Sequence, residues 1–149
     1  MKYALLLLLA FASVVRADIP PTLQNEFLAR LKSAAQSEDR DRYRLIGCTD
    51  GLSEDMVKAA RTSSEYTLSE IKRYGDAVKF EWAPPTKDVL GVMEANGFRY
   101  IPNLKIEDTL IISWRDTIRG SDVKCIIVLG VKEGRLMQVG TIKEAISKK

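Results

Sequence analysis

The chain has 149 residues, 46% of them hydrophobic, with a formal net charge of +3 and no histidine. That length makes one domain, with enough apolar matter for a core that needs neither metal nor several disulfides. The missing histidine excludes Ser-His-Asp triads, Cys-His dyads and imidazole metal ligands, and two cysteines are too few for a structural zinc site.

The chain opens with a leader pattern. Met1-Lys2-Tyr3 is a short positive start, Ala4 to Ala12 is an unbroken apolar run, and Val15-Arg16-Ala17 resembles a signal-peptidase site. The run falls well short of the ~20 residues that span a bilayer. Residues 1–17 are therefore expected to be a cleaved signal peptide and 18–149 a single exported domain, periplasmic or secreted, starting at Asp18. No cysteine lies near the cleavage point to carry a lipid, and no other segment is apolar enough to cross a membrane. Without Lys2 and Arg16 the excess of basic over acidic residues drops from three to one, so no electrostatic footprint for nucleic acid remains.

Helices come first. Pro20-Pro21 leads into Leu23, Phe27, Leu31 and Ala34 or Ala35, an apolar stripe at helical spacing that predicts a helix from about Leu23 to Gln36. Ser37 suits the cap of a second, shorter helix with Tyr43 and Ile46 on its buried side, ending at Gly47. Arg40, Arg42 and Arg44 alternate with Asp39 and Asp41, which reads as a solvated mixed-charge face. After a turn at Cys48-Thr49-Asp50-Gly51, Ser53 caps a third helix with Glu54 and Asp55 in its first turn, to about Ser63. From Ser64 to Gly75 the pattern is weak.

Strands follow. Ala77–Trp82 alternates Val78, Phe80 and Trp82 with charged residues until Pro84-Pro85 stops it. Val89 to Pro102 reads either as a short helix ending at Gly97 or as a hairpin turning at Asn96-Gly97. The hairpin is preferred, because it pairs Glu94 with Arg99, Met93 with Tyr100 and Ala95 with Phe98.

Leu110 to Ile142 then reads as a three-stranded antiparallel meander. A two-residue loop at Gly120-Ser121 sets Ile118 against Val123, Trp114 against Ile127, Ile112 against Leu129 and Asp116 against Cys125. A second at Glu133-Gly134 sets Val131 against Leu136 and Cys125 against Ile142. Cys48 and Cys125 are separated by a long stretch that nothing in the sequence closes, so they are read as unpaired thiols rather than a disulfide.

The whole is α+β: N-terminal helices packed on one face of a curved antiparallel sheet that ends in the meander. In this element order the chain resembles the NTF2-like and cystatin-like families, with the difference that NTF2-like chains place a strand between the second and third helices.

Chemistry is sparse. Asp116 falls on the apolar face of its strand, where desolvation would raise its pKa and make it a general acid or base. The NTF2-like resemblance implies a carboxylate and a tyrosine in a cone between helices and sheet, which makes Asp116 and Tyr100 the candidate catalytic pair. Against that stands an ordinary strand-end position turned to water. Phe80, Trp82, Tyr100 and Trp114 are the candidate pocket lining, although aromatics on alternating strand positions usually form core. Glu107-Asp108 and Asp50 lack the spacing of a calcium loop. No motif calls for a cofactor or metal. The leading expectation is a non-enzymatic domain that binds a protein, peptide or small apolar ligand on the concave sheet face, with a protein partner or homodimer in view. The alternative is a His-free lyase or isomerase.

Overall fold

The computed structural model describes residues 18–147, so the leader reading on residues 1–17 lies outside the described residues. The first helix, α1 (Pro21–Gln36), starts with proline where its absent N–H costs nothing and buries Phe27, Leu31, Ala34 and Ala35. No helix follows at Ser37. Ser37 Oγ accepts from Asp39 N and Asp39 Oδ1 from Asp41 N, so short polar side chains satisfy the backbone groups that a helix would use. Only a 3-10 turn forms, over Arg42–Leu45.

The second helix, α2 (Glu54–Tyr74), begins at the Ser53 cap as expected but runs 21 residues, past the expected end at Ser63. Ser64, Leu68 and Ile71 recur on one face and are buried there, so packing carries the helix through a stretch of low propensity. Gly75, at φ +51, ends it.

Among the described residues the strands are β1 (Lys79–Ala83), β2 (Met93–Ala95), β3 (Phe98–Pro102), β4 (Asp108–Asp116), β5 (Ser121–Lys132), β6 (Arg135–Gln138) and β7 (Thr141–Ala145). They form a four-stranded sheet in the order β1-β4-β5-β6 and a three-stranded sheet in the order β2-β3-β7. All named pairings are antiparallel. The helices cover one face of the larger sheet, where Leu110, Ile112, Trp114, Ile127, Leu129 and Leu136 meet Phe27, Leu31, Leu68 and Ile71 in one core.

Two of the three expected turns have the expected register. At Asn96-Gly97, Met93 faces Tyr100, Glu94 faces Arg99 and Ala95 faces Phe98, and the Glu94–Arg99 ion pair forms at 3.2 Å. At Glu133-Gly134, Val131 faces Leu136. The β4–β5 hairpin differs by four residues: Trp114 faces Val123, Ile112 faces Cys125, Leu110 faces Ile127 and Asp116 faces Ser121. An even slip keeps the same side chains on the core face, which is why the apolar pattern alone did not exclude it.

β6 does not continue to Ile142. After Gln138 the ladder to β5 makes one more bond, Val139 N to Val128 O at 2.8 Å, and the chain then swings away at Gly140. A Cβ at Gly140 would lie 2.8 Å from Cys48 O, so the bend presses the chain against the 48–52 loop. Ile142 therefore pairs with Ile101 of β3 rather than facing Cys125. Both cysteines are free.

Candidate functional site

The residues singled out from sequence do not share one pocket. Phe80, Trp82 and Trp114 lie on the helix-facing side of the larger sheet, and Tyr100 belongs to the smaller one. Phe80 sits under the Lys32 ammonium, 5.3 Å from the ring centre. Trp82 packs edge-on to Phe27 at 6.4 Å. Trp114, 3% exposed, stacks on Tyr74 at 6.3 Å and meets Tyr66 at 6.2 Å. Between the helices and this sheet the space is filled by Phe27, Leu31, Leu68 and Ile71. A void there, beside Ile46, Ser64 and Ile127, holds about 50 Å³, room for a few waters at most.

Asp116 ends β4 and is 8% exposed. Its Oδ1 accepts the N–H of Ile118 at 2.8 Å and of Arg119 at 3.1 Å, and the Tyr74 hydroxyl lies 3.5 Å away. The Arg119 N–H, assisted by that of Ile118 and by the Arg119 and Arg73 cations, holds the carboxyl below its usual range, although burial pushes the other way. The direction is opposite to the rise expected from an apolar strand position. An anion that spends its lone pairs on two loop N–H groups organises the turn: it folds Thr117–Gly120 into a four-residue loop, closed by Gly120 N on Asp116 O. This capture is the physical cause of the four-residue slip.

The two larger grooves near predicted residues are polar at the rim. One of about 510 Å³ beside Trp82 is lined by Asp18, Gln24, Glu107 and Asp108. There Asp108 already accepts from Gln24 Nε2 at 2.8 Å and from Thr109 N at 3.0 Å. The other, about 470 Å³ beside Trp114, is rimmed by Lys79, Arg115, Asp122 and Lys124. Among the described residues no three His, Cys, Asp or Glu side chains gather to hold a cation.

A third opening is lined mostly by apolar residues. It lies where the chain leaves β5 after Val139, has a volume of about 260 Å³, and is lined chiefly by Val89, Met93, Tyr100, Pro102, Ile106, Val128 and Val139. Its construction follows from the backbone. Pro84-Pro85 ends β1, and two turns, Val89 N on Thr86 O and Leu90 N on Lys87 O, bring Val89 back over the sheet. Gly130 allows the Leu104-Lys105 segment to cross β5 in backbone contact, which sets Ile106 at the other wall. Of its lining, Met93 is 62% exposed, and Leu90 and Val92, which alternate along the chain with the lining residues Val89, Gly91 and Met93, are 49% and 53% exposed. Asp88 is the one carboxylate at its rim, and Tyr100 and Thr141 supply hydroxyls.

Two structural residues were missed in the sequence. Arg42, read as part of a solvated face, is 7% exposed. It holds Glu65 through two N–H groups and donates to the carbonyls of Ala35 and Ser37 at 3.1 Å, closing the end of α1. Its signal was weak, one arginine among alternating charges. Asn103 Nδ2 donates to the Cys48 and Asp50 carbonyls, and its Oδ1 accepts from Gly140 N at 2.7 Å, riveting the 48–50 loop to the bend between β6 and β7.

No family model and no curated protein matches the chain. Among solved structures, Rd1NTF2_05 with five substitutions is similar over 83% of this chain and 98% of its own, at 12% identity and a TM-score of 0.42. Aln2 from a Streptomyces species is similar over 86% of this chain and 93% of its own, at 13% identity and a TM-score of 0.33. A de novo beta-sheet design follows with 86% and 91% covered, 12% identity and a TM-score of 0.27. The NTF2-like arrangement expected from element order is represented by name among these neighbours. Overlaps of this size assign neither a family nor an activity.

Proposed function

We propose that this is an exported binding domain which takes an apolar ligand, such as an acyl chain or the hydrophobic side chains of a peptide, in the cleft between its two sheets. The observation that carries the reading is a hollow walled by Val89, Pro102, Ile106, Val128 and Val139 with the exposed Met93 at its edge: concave, mostly apolar walls with a few polar groups are the usual form of a ligand site. On this reading the site lies away from the helix-covered face, whose centre is filled by Phe27, Leu31, Leu68 and Ile71. The hydroxyls of Tyr100 and Thr141 would orient a polar end, and Asp88 would disfavour an anionic one.

An environment-sensitive apolar dye tests it. The wild type should enhance the dye's fluorescence, and Met93→Asp should abolish the enhancement by placing a charge on the cleft wall, while its exposure leaves the melting curve nearly unchanged. Equal enhancement in both proteins would refute the site. Export is tested separately: the native protein should have Asp18 as its first residue by mass spectrometry, and an intact residue 1–17 segment would overturn it.

The lyase or isomerase reading pairs Asp116 with Tyr100, but these lie on different sheets, and the hydroxyl beside Asp116 belongs to Tyr74. A carboxylate held ionised by two N–H bonds is a weak proton acceptor at neutral pH, so the geometry favours binding.

A further inference from the structure

β5 is the longest strand, and its two edges are unequally used. One pairs with β4 from Ser121 to Leu129. The other pairs with β6 only from Leu129 to Lys132, plus the bond from Val139 N to Val128 O. Among the described residues no backbone bond reaches that edge between Ser121 and Ile127. Because antiparallel strands alternate bonded and non-bonded positions, the Val128 bond fixes which residues point their N–H and C=O outward: Ile126, Lys124 and Asp122. All three are exposed, Ile126 by 59%. The open stretch ends at Ile126 and Ile127, where Ser63, Ser64 and Thr67 of α2 stand beside them, which leaves Asp122 and Lys124 as its clear positions. β1, the other outer strand of this sheet, offers only five residues before Pro84-Pro85.

We propose that this edge joins two copies of the chain, β5 running antiparallel to β5 about a two-fold axis through Val123. In that register Asp122 of each copy lies opposite Lys124 of the other. Those two residues exchange both backbone bonds, and their side chains make an ion pair twice per dimer. The charge pattern selects this register among those with the right bonding parity. Sliding by one step sets Lys124 against Lys124, which repels. Sliding by another sets Asp122 against Val128, whose carbonyl is already bonded to Val139. Asp122 now pairs with Arg115 at 3.3 Å, an exposed contact that a second partner can share. The pairing is isologous and closes on itself, so it gives a dimer and no fibre.

Sedimentation velocity on the purified protein across a concentration series should show a reversible monomer–dimer equilibrium. Lys124→Asp sets like charges opposite twice per dimer and should weaken association about tenfold. Asp122→Lys should do the same, and the double exchange Asp122→Lys with Lys124→Asp should restore it. Val123→Cys places thiols across the axis, where non-bonded pairs bring Cα atoms to about 4.5 Å. Oxidation should then give a reducible dimer linked at that position by peptide mass. A wild type that stays monomeric throughout overturns the proposal. So does a dimer indifferent to the single charge reversals, or a Val123→Cys protein that does not cross-link.

Discussion

The two sheets differ in what they bury. In the larger one Leu110, Ile112, Leu129 and Leu136 are fully buried under α1 and α2, beside a void of only about 50 Å³. In the smaller one no residue of β2, β3 or β7 is buried, and the loop leading into β2 exposes Leu90, Val92 and Met93. Stability therefore resides in the first sheet, while the second, held through Asn103 and the Gly140 bend, is left to present an apolar surface. The fold separates the two tasks that a single cone would have combined.

That division can be tested by substitution. The largest loss should come from Ile112→Ala, which deletes a fully buried side chain; urea denaturation should show about 2–5 kcal/mol of destabilisation. Next, Gly47→Ala should cost about 1–3 kcal/mol, because a Cβ there would overlap the buried Tyr43 ring. That ring has no slack: the Tyr43 hydroxyl is buried without a partner among the described residues, and burial pushes its pKa up to about 12.

Asp116→Asn should show its effect through pH. The carboxyl's pKa lies lower in the folded chain than in the unfolded one, so its contribution is complete above about pH 4 and lost as pH falls through the folded value. The gap in melting temperature between wild type and variant at neutral pH should narrow on acidification. A gap that widens in acid would mean the folded pKa is raised. The smallest effect should belong to Met93→Asp on the smaller sheet, within about 0.5 kcal/mol of wild type by the same urea assay, because its side chain is 62% exposed.

How legible each region was follows from what fixes it. The Asn96-Gly97 hairpin was readable because the turn residues and all three cross-strand pairs demand the same register, and Asn96 and Gly97 both take positive φ, 52° and 77°. The β4–β5 turn was not, since its register is fixed by one carboxylate bonding two N–H groups of its own loop, and the apolar pattern tolerates any even slip. Likewise α2 outran its expected end because Leu68 and Ile71 found a sheet to pack on, a tertiary effect invisible to local propensity. Of the candidate site, Tyr100 was named in advance. The cleft it lines joins four separate segments and depends on Gly130 and Gly140 letting backbones approach, which no single stretch of sequence displays.

Methyl NMR with a short-chain alcohol such as octanol as the probe addresses the central claim most directly. On titration the methyl signals of Val89, Met93, Val128 and Val139 should shift together with a single saturation curve, while those of Leu110, Ile112 and Leu129 in the closed core stay fixed. Shifts among the core methyls, or none at the cleft, would contradict a binding domain whose site lies between its two sheets.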